Sequence, residues 1–220
     1  MKYYISPLFL FICIVLGWLT TGCNEKRQAG FTNILLFSKT EGFRHSSIEP
    51  GIIALEKIAK KNGYSITATE DASVFKQATL APYNVIIFLS TTGDILNTAQ
   101  QFEFERWIEA GGGFVGIHAA TDTEYEWPWY NQLVGGYFAG HPPGVHEANM
   151  QVLDQDHPST GHLGEVFTKT DEWYNFKNIN PEINILLNID ETSYTGGTHK
   201  PENHPMAWFH DYDGGCAFYT

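Results

Sequence analysis

Short apolar runs alternate with helix-patterned segments along residues 33–117, and this alternation leaves few folds open. Asn33-Ile34-Leu35-Leu36-Phe37-Ser38 has an unbroken apolar centre, which predicts a strand covered on both faces. Asn84-Val85-Ile86-Ile87-Phe88-Leu89-Ser90 and Phe114-Val115-Gly116-Ile117 repeat the pattern, while Tyr64, Ile66 and Ala68 alternate as a further strand. Between the strands, Ile48, Ile52, Leu55 and Ala59 recur on one helical face. Ser46-Ser47-Ile48-Glu49 predicts a capping box, Pro50 fits a first turn, and Asn62-Gly63 is a stop. Thr98 with Gln101 predicts the next helix start, with Phe104, Trp107 and Ile108 inward and Gly111-Gly112-Gly113 closing it. Strand and helix in turn predict an α/β fold, a mostly parallel sheet with helices on both faces.

After residue 119 the pattern turns irregular. Residues 122–147 carry Trp127, Trp129, Tyr130, Tyr137 and Phe138 among many Gly and Pro, which predicts a long aromatic insertion over one end of the sheet. Met150–Leu153, Asp171–Phe176, Ile183–Ile189, Pro205–Phe209 and Gly215–Tyr219 are shorter strand candidates. Their hairpin-like spacing predicts some antiparallel strands at the far edge.

Composition removes whole classes. With 43% hydrophobic and 15% aromatic residues, the chain has enough apolar surface to fold, and 220 residues suit one globular domain. The formal charge of −12, without a Lys/Arg cluster, argues against a nucleic-acid partner. After residue 19 no run approaches the ~18 apolar residues of a membrane span. Residues 1–22 read as a signal peptide: Lys2 is positive, and Leu8–Leu19 is a short apolar stretch. Thr20-Thr21-Gly22-Cys23 resembles a lipoprotein processing site, so Cys23 is the candidate lipidation residue and 23–30 a polar tether. An ordinary signal peptide with an incidental Cys is the alternative. The lipid reading implies an exported bacterial lipoprotein, held to a membrane surface by its anchor. The globular body spans 31–220, where Cys216 remains alone and reads as a small buried hydrophobe. Nothing in the sequence addresses oligomeric state.

In open parallel α/β sheets, ligands sit outside the carboxyl ends of the strands. Those ends supply Thr40 to His45, Ser90 to Asp94 with Thr92, and His118 to Asp122. His45 and His118 thus converge on one crevice and are candidate acid/base groups. Arg44 beside a helix N-terminus suits a polar or anionic ligand. His141 follows a Gly-rich loop, Glu172 is a candidate base or a structural carboxylate, and Asp122 either orients His118 or caps a turn. His45, His118, His141 and Glu172 are also the donor types of a divalent site such as zinc, although they lack a tight signature spacing. Trp127, Trp129, Tyr130, Trp173 and Tyr174 either stack a sugar or pack a core.

Several motifs together carry a resemblance. Thr40-x-Gly42-Phe43-Arg44-His45, Gly111 to His118, and Gly135-Gly136-x-Phe138-x-Gly140-His141 resemble the ThuA-like (trehalose utilisation) family. Asp171-Glu172-Trp173-Tyr174 and His204-Pro205-Met206-Ala207-Trp208 fit the same pattern. The resemblance implies a flavodoxin-like fold of the class I glutamine amidotransferase-like superfamily, and chemistry on sugars or keto-sugars. His118 stands where glutamine amidotransferases present a nucleophilic Cys, so glutaminase activity is not expected. The expectation is a His-based isomerase- or lyase-like enzyme on a small-molecule carbohydrate; a non-catalytic carbohydrate-binding surface lipoprotein is the alternative. The substrate-binding candidates are Thr40, Gly42, Phe43, Arg44, Thr92, Trp127, Tyr130, Tyr174 and His204. Family members continue into a Gly-His segment and a closing helix after the strand that here ends at Thr220, which predicts a truncated chain.

Overall fold

The computed structural model describes residues 32–197 and 203–220. The signal, lipid and tether expectations for residues 1–30 lie outside the described residues. Among the described residues, no helix is long and apolar enough to cross a membrane.

The strands are β1 (Asn33–Phe37), β2 (Ser65–Thr69), β3 (Val85–Leu89), β4 (Gly113–Ile117), β5 (Tyr137–Gly140), β6 (His146–Val152), β7 (Val166–Asp171), β8 (Asn175–Lys177), β9 (Asn184–Ile189), β10 (Pro205–Tyr212) and β11 (Gly215–Tyr219). The helices are α1 (Ile48–Asn62), α2 (Gln77–Leu80), α3 (Thr98–Glu109) and α4 (Pro128–Val134). Nine strands form one sheet in the order β2-β1-β3-β4-β11-β10-β9-β6-β7, and β5 pairs with β8 apart from it. The first five are parallel neighbours, with β11 in register against β4. The remaining four are antiparallel. The parallel half has the doubly wound flavodoxin order, and its chain reversal lies between β1 and β3, where ligand crevices form.

The apolar centres predicted for β1, β3 and β4 are the buried ones. Leu36, Ile87 and Leu89 face α1 through Ile52 and Leu55. The opposite face joins Phe37, Phe88, Phe104, Phe114 and Tyr130 in the main core. Phe88 and Phe104 stack at 5.5 Å, and Phe37 meets Phe75 edge-on at 4.9 Å. Gly112 is needed for close approach, since a Cβ there would lie 2.3 Å from the Trp107 ring.

Local expectations shift in three places. The predicted capping box does not form: Ser47 caps α1 without a side-chain hydrogen bond, and Glu49 pairs with Arg44. The capping box of α3 forms one residue earlier than predicted, between Asn97 and Gln100. The predicted strand at Asp171–Phe176 splits into the end of β7 and the start of β8, leaving Glu172 on the connection. Cys216 is half-buried in β11 and pairs with Gly113, at the opposite end of β4 from His118.

Candidate functional site

Loops after β1, β3 and β4 meet at the carboxyl edge of the parallel half. They border a cleft of about 790 Å³, closed on its other side by β6, β7, β9 and β10. The β1 loop is fastened from below. Thr92 donates its hydroxyl to the Phe43 carbonyl at 2.9 Å and accepts the Gly42 amide at 3.2 Å, and Thr40 bridges to Thr92.

His118 follows β4 with a left-handed backbone, φ 51°. For a non-glycine residue this costs about 1–3 kcal/mol unless the surroundings hold it. Here they do: its amide donates to the Thr220 carbonyl at 2.8 Å, and its carbonyl accepts the Tyr219 hydroxyl at 2.8 Å. Ser90, at the end of β3 and on the same cleft, is held likewise at φ 48°. The sharp turn at His118 carries the imidazole into the cleft, with 24% of its side chain exposed.

His45 meets it edge to face, ring centres 4.8 Å apart. Glu172 Oε2 lies 3.4 Å from His118 Nε2 and 4.0 Å from His45 Nε2. The Tyr174 hydroxyl is 3.1 Å from His45 Nε2, and the Tyr174 ring packs 4.3 Å from His118. His45 Nδ1 is buried without a hydrogen-bond partner. Burial pushes His118 down to about 4, and the neighbouring His45 acts in the same direction. Burial also lowers His45, so both imidazoles are neutral at pH 7. Burial raises Tyr174 and Tyr219, which keep their protons.

His45, His118 and Glu172 offer one ligand atom each within 4.8 Å of one another. Two imidazoles, a carboxylate and an open side suit zinc or a similar ion. His141 is outside this group. Its ring stacks on Tyr174 at 5.6 Å, and its Nδ1 donates to the Pro142 carbonyl at 2.7 Å.

Other expected contacts fall elsewhere. Phe43, Arg44 and Tyr174 line the cleft, but Thr40, Gly42 and Thr92 serve the loop behind it. Arg44 is bound by Glu49 at 2.7 Å and Glu70 at 2.8 Å, so its charge is already matched. Asp122 accepts the Tyr125 hydroxyl at 2.6 Å and hydrogen-bonds neither imidazole. Trp127 and Tyr130 are core residues, not a sugar platform. Trp127 stacks on Tyr130 at 5.7 Å, and the Tyr130 hydroxyl donates to the Ala120 carbonyl at 2.7 Å. Pro128 at the start of α4 and left-handed Gly135 at its end are the sequence signals that mark this segment as a helix with an inner face. Trp129 packs on Trp127, and Trp173 is buried with its indole N–H on the His146 carbonyl. His204 is fully buried behind the cleft wall, with Nε2 donating to the Tyr174 carbonyl at 2.8 Å and Nδ1 facing Glu191. Residues the sequence did not single out are the clamp residue Tyr219 and the apolar side chains of the antiparallel wall.

A five-stranded flavodoxin-like sheet with a turn-mounted side chain at the end of β4 defines a protein of the class I glutamine amidotransferase-like fold. The profile of the ThuA family, described as trehalose utilisation, matches residues 33–220, and the chain belongs to that family. This ties it to carbohydrate-related function in general. A crystal structure of a ThuA-like protein from Bacteroides uniformis is similar at 24% identity and TM-score 0.72, over 90% of this chain and 84% of that one. A ThuA-like protein from Parabacteroides merdae gives 19% identity and TM-score 0.70, over 87% and 79%. A cytoplasmic protein from Salmonella typhimurium gives 11% identity and TM-score 0.58, over 84% and 85%. No curated protein matches the sequence.

Proposed function

We propose that this chain is an enzyme of carbohydrate metabolism that moves a proton at a carbon beside the carbonyl of a sugar or keto-sugar. The observation that carries the reading is the meeting of His118, His45, Glu172 and Tyr174 on one open cleft, with both imidazoles neutral. Neutral His118 takes the proton from carbon, and Glu172 stabilises the imidazolium that forms. The Tyr174 hydroxyl, next to His45, donates toward the carbonyl oxygen as enolate charge develops. For isomerisation, the α-hydroxyl proton passes to the former carbonyl oxygen through the Tyr174 hydroxyl while the His118 imidazolium returns its proton to the former carbonyl carbon; for elimination, the group on the next carbon leaves with the proton of that imidazolium. A glutaminase reading is disfavoured because the turn presents His118, and Cys216 sits at the other end of the strands. A surface-anchored setting rests on residues 1–23 alone.

A second reading is favoured by the three-ligand geometry: His45, His118 and Glu172 would hold a divalent ion such as zinc. The ion would supply polarisation of the substrate carbonyl.

Proton NMR of the full chain with glycosides and their 3-keto forms tests the proposal. Product resonances are expected, and His118→Ala should cut turnover about 10²–10⁴-fold with the fold retained. Turnover unchanged in that variant would overturn the assignment. Saturation transfer to a sugar without product would make the protein a binding module instead.

A further inference from the structure

The cleft is much larger than the cluster of reactive groups needs, and its two walls differ in chemistry. The wall beside His118 is mixed, with His45, Ser47 and Ser90 among Phe43, Leu89 and Ile117. The facing wall is built by four adjacent strands that each contribute one apolar side chain: Met206 from β10, Leu187 from β9, Met150 from β6 and Phe167 from β7. Met150 and Phe167 are cross-strand partners. Met206 lies at a break in register between Pro205 and Ala207, the kind of irregularity that re-aims a side chain. Met150 is buried in one cluster with Trp173, Ile189 and Ala148, and the half-exposed Phe167, Leu187 and Met206 pack against that cluster. Two of the large exposed apolar residues, Phe43 at 69% and Val145 at 62%, stand on the same cleft.

Charges on this wall are matched to each other. Lys169 Nζ binds Asp171 at 2.6 Å and reaches over the Trp173 ring at 5.9 Å. What remains open to a ligand is an apolar row of Met206, Leu187 and Phe167, with Met150 nearly covered between the last two. A sugar ring alone, rich in hydroxyls, would leave that row wet or strip water from its own hydroxyls without replacement hydrogen bonds. A flat hydrophobic group would cover it, and methionines adapt readily to such a partner.

We propose that the substrate is a glycoside with an apolar, preferably aromatic, aglycone: the sugar unit at His118 and the aglycone along Met206, Leu187, Met150 and Phe167. This rests on the reading of the His118 cluster as the sugar-handling centre. It predicts discrimination against disaccharides such as trehalose, whose second unit is polar.

The test is calorimetric titration of the full chain with methyl, phenyl and naphthyl glucosides and with trehalose. Affinity should rise at least tenfold from methyl to naphthyl glucoside, with trehalose no tighter than the methyl compound. Leu187→Asn and Phe167→Ser, each checked for a retained cooperative melting transition, should remove most of that gain. His118→Ala should leave the gain in place. Equal affinity for all four compounds, or a gain that survives both wall substitutions, would overturn the aglycone assignment while sugar binding still supports the parent reading. No binding by any glycoside, with or without its 3-keto group, would overturn both.

Discussion

The parallel and antiparallel halves of the sheet solve different problems. In β1, β3 and β4, strands of five residues are covered by helices on both faces, and polar chemistry is confined to their carboxyl ends. In β6, β7, β9 and β10, the strands line the cleft, so their side chains meet whatever enters it. The parallel half supplies His45 and His118; the connection out of β7 supplies Glu172 and Tyr174. The helix-covered core is concentrated in one half and the apolar wall of the cleft in the other, so substitutions at Phe88 and Phe167 should separate stability from binding.

The largest contrast is expected between two phenylalanines. Phe88 is fully buried among Phe37, Phe75, Phe104 and Phe114, and Phe88→Ala should cost about 3–5 kcal/mol. Phe167 is half-exposed on the cleft, and Phe167→Ala should cost about 1 kcal/mol. Urea unfolding of both variants reads the difference directly; equal losses would break the division between the halves.

The next effect concerns the seam where the halves meet. His118 titrates near 4 when folded, against its ordinary value of 6.5. Between those values the unfolded chain binds more protons than the native one, so stability is present above pH 6.5 and falls as pH drops toward 4. The loss should reach about 3 kcal/mol from this residue. Thermal unfolding from pH 7 to pH 4.5 checks it: His118→Asn should show a shallower decline than the parent chain. A parallel decline would mean that the imidazole is not buried as described.

The smallest effect tests a local device of the parallel half. Asn97→Ala removes the side chain that accepts the Gln100 amide and should cost about 1 kcal/mol, with ligand affinity unchanged. A change in glycoside affinity would show that α3 couples to the cleft.

How much of this was legible follows from the same division. The parallel strands announce themselves because burial on both faces demands continuous apolar runs, and the strand-end rule then brings His45 and His118 together. Glu172 and Tyr174 were visible through the family motif, although Glu172 was placed within a strand. The burial of the aromatic candidates was read less well. Trp127 and Tyr130 sit in a Gly- and Pro-rich stretch that resembles a loop, yet the short α4 turns them into the core. His204 carries a reactive side chain, but its partners come from Tyr174 and Glu191, distant positions that no local pattern reveals. The apolar wall escaped notice because its four residues come from four strands, and only the sheet order sets them side by side.

The position of β11 bears on how the molecule comes to exist. Among the described residues, this strand lies between β4 and β10 and joins the two halves of the sheet. Its Tyr219 also clamps the backbone of His118 across a separation of 101 residues. Until β11 inserts, β4 keeps an open edge, the antiparallel strands have no parallel neighbour, and the turn at His118 lacks its brace. Closing so long a loop is slow, and the exposed edge invites pairing with other chains meanwhile. A newly made chain is therefore expected to remain chemically silent and prone to self-association until that strand docks, so that completion of the fold and onset of activity coincide.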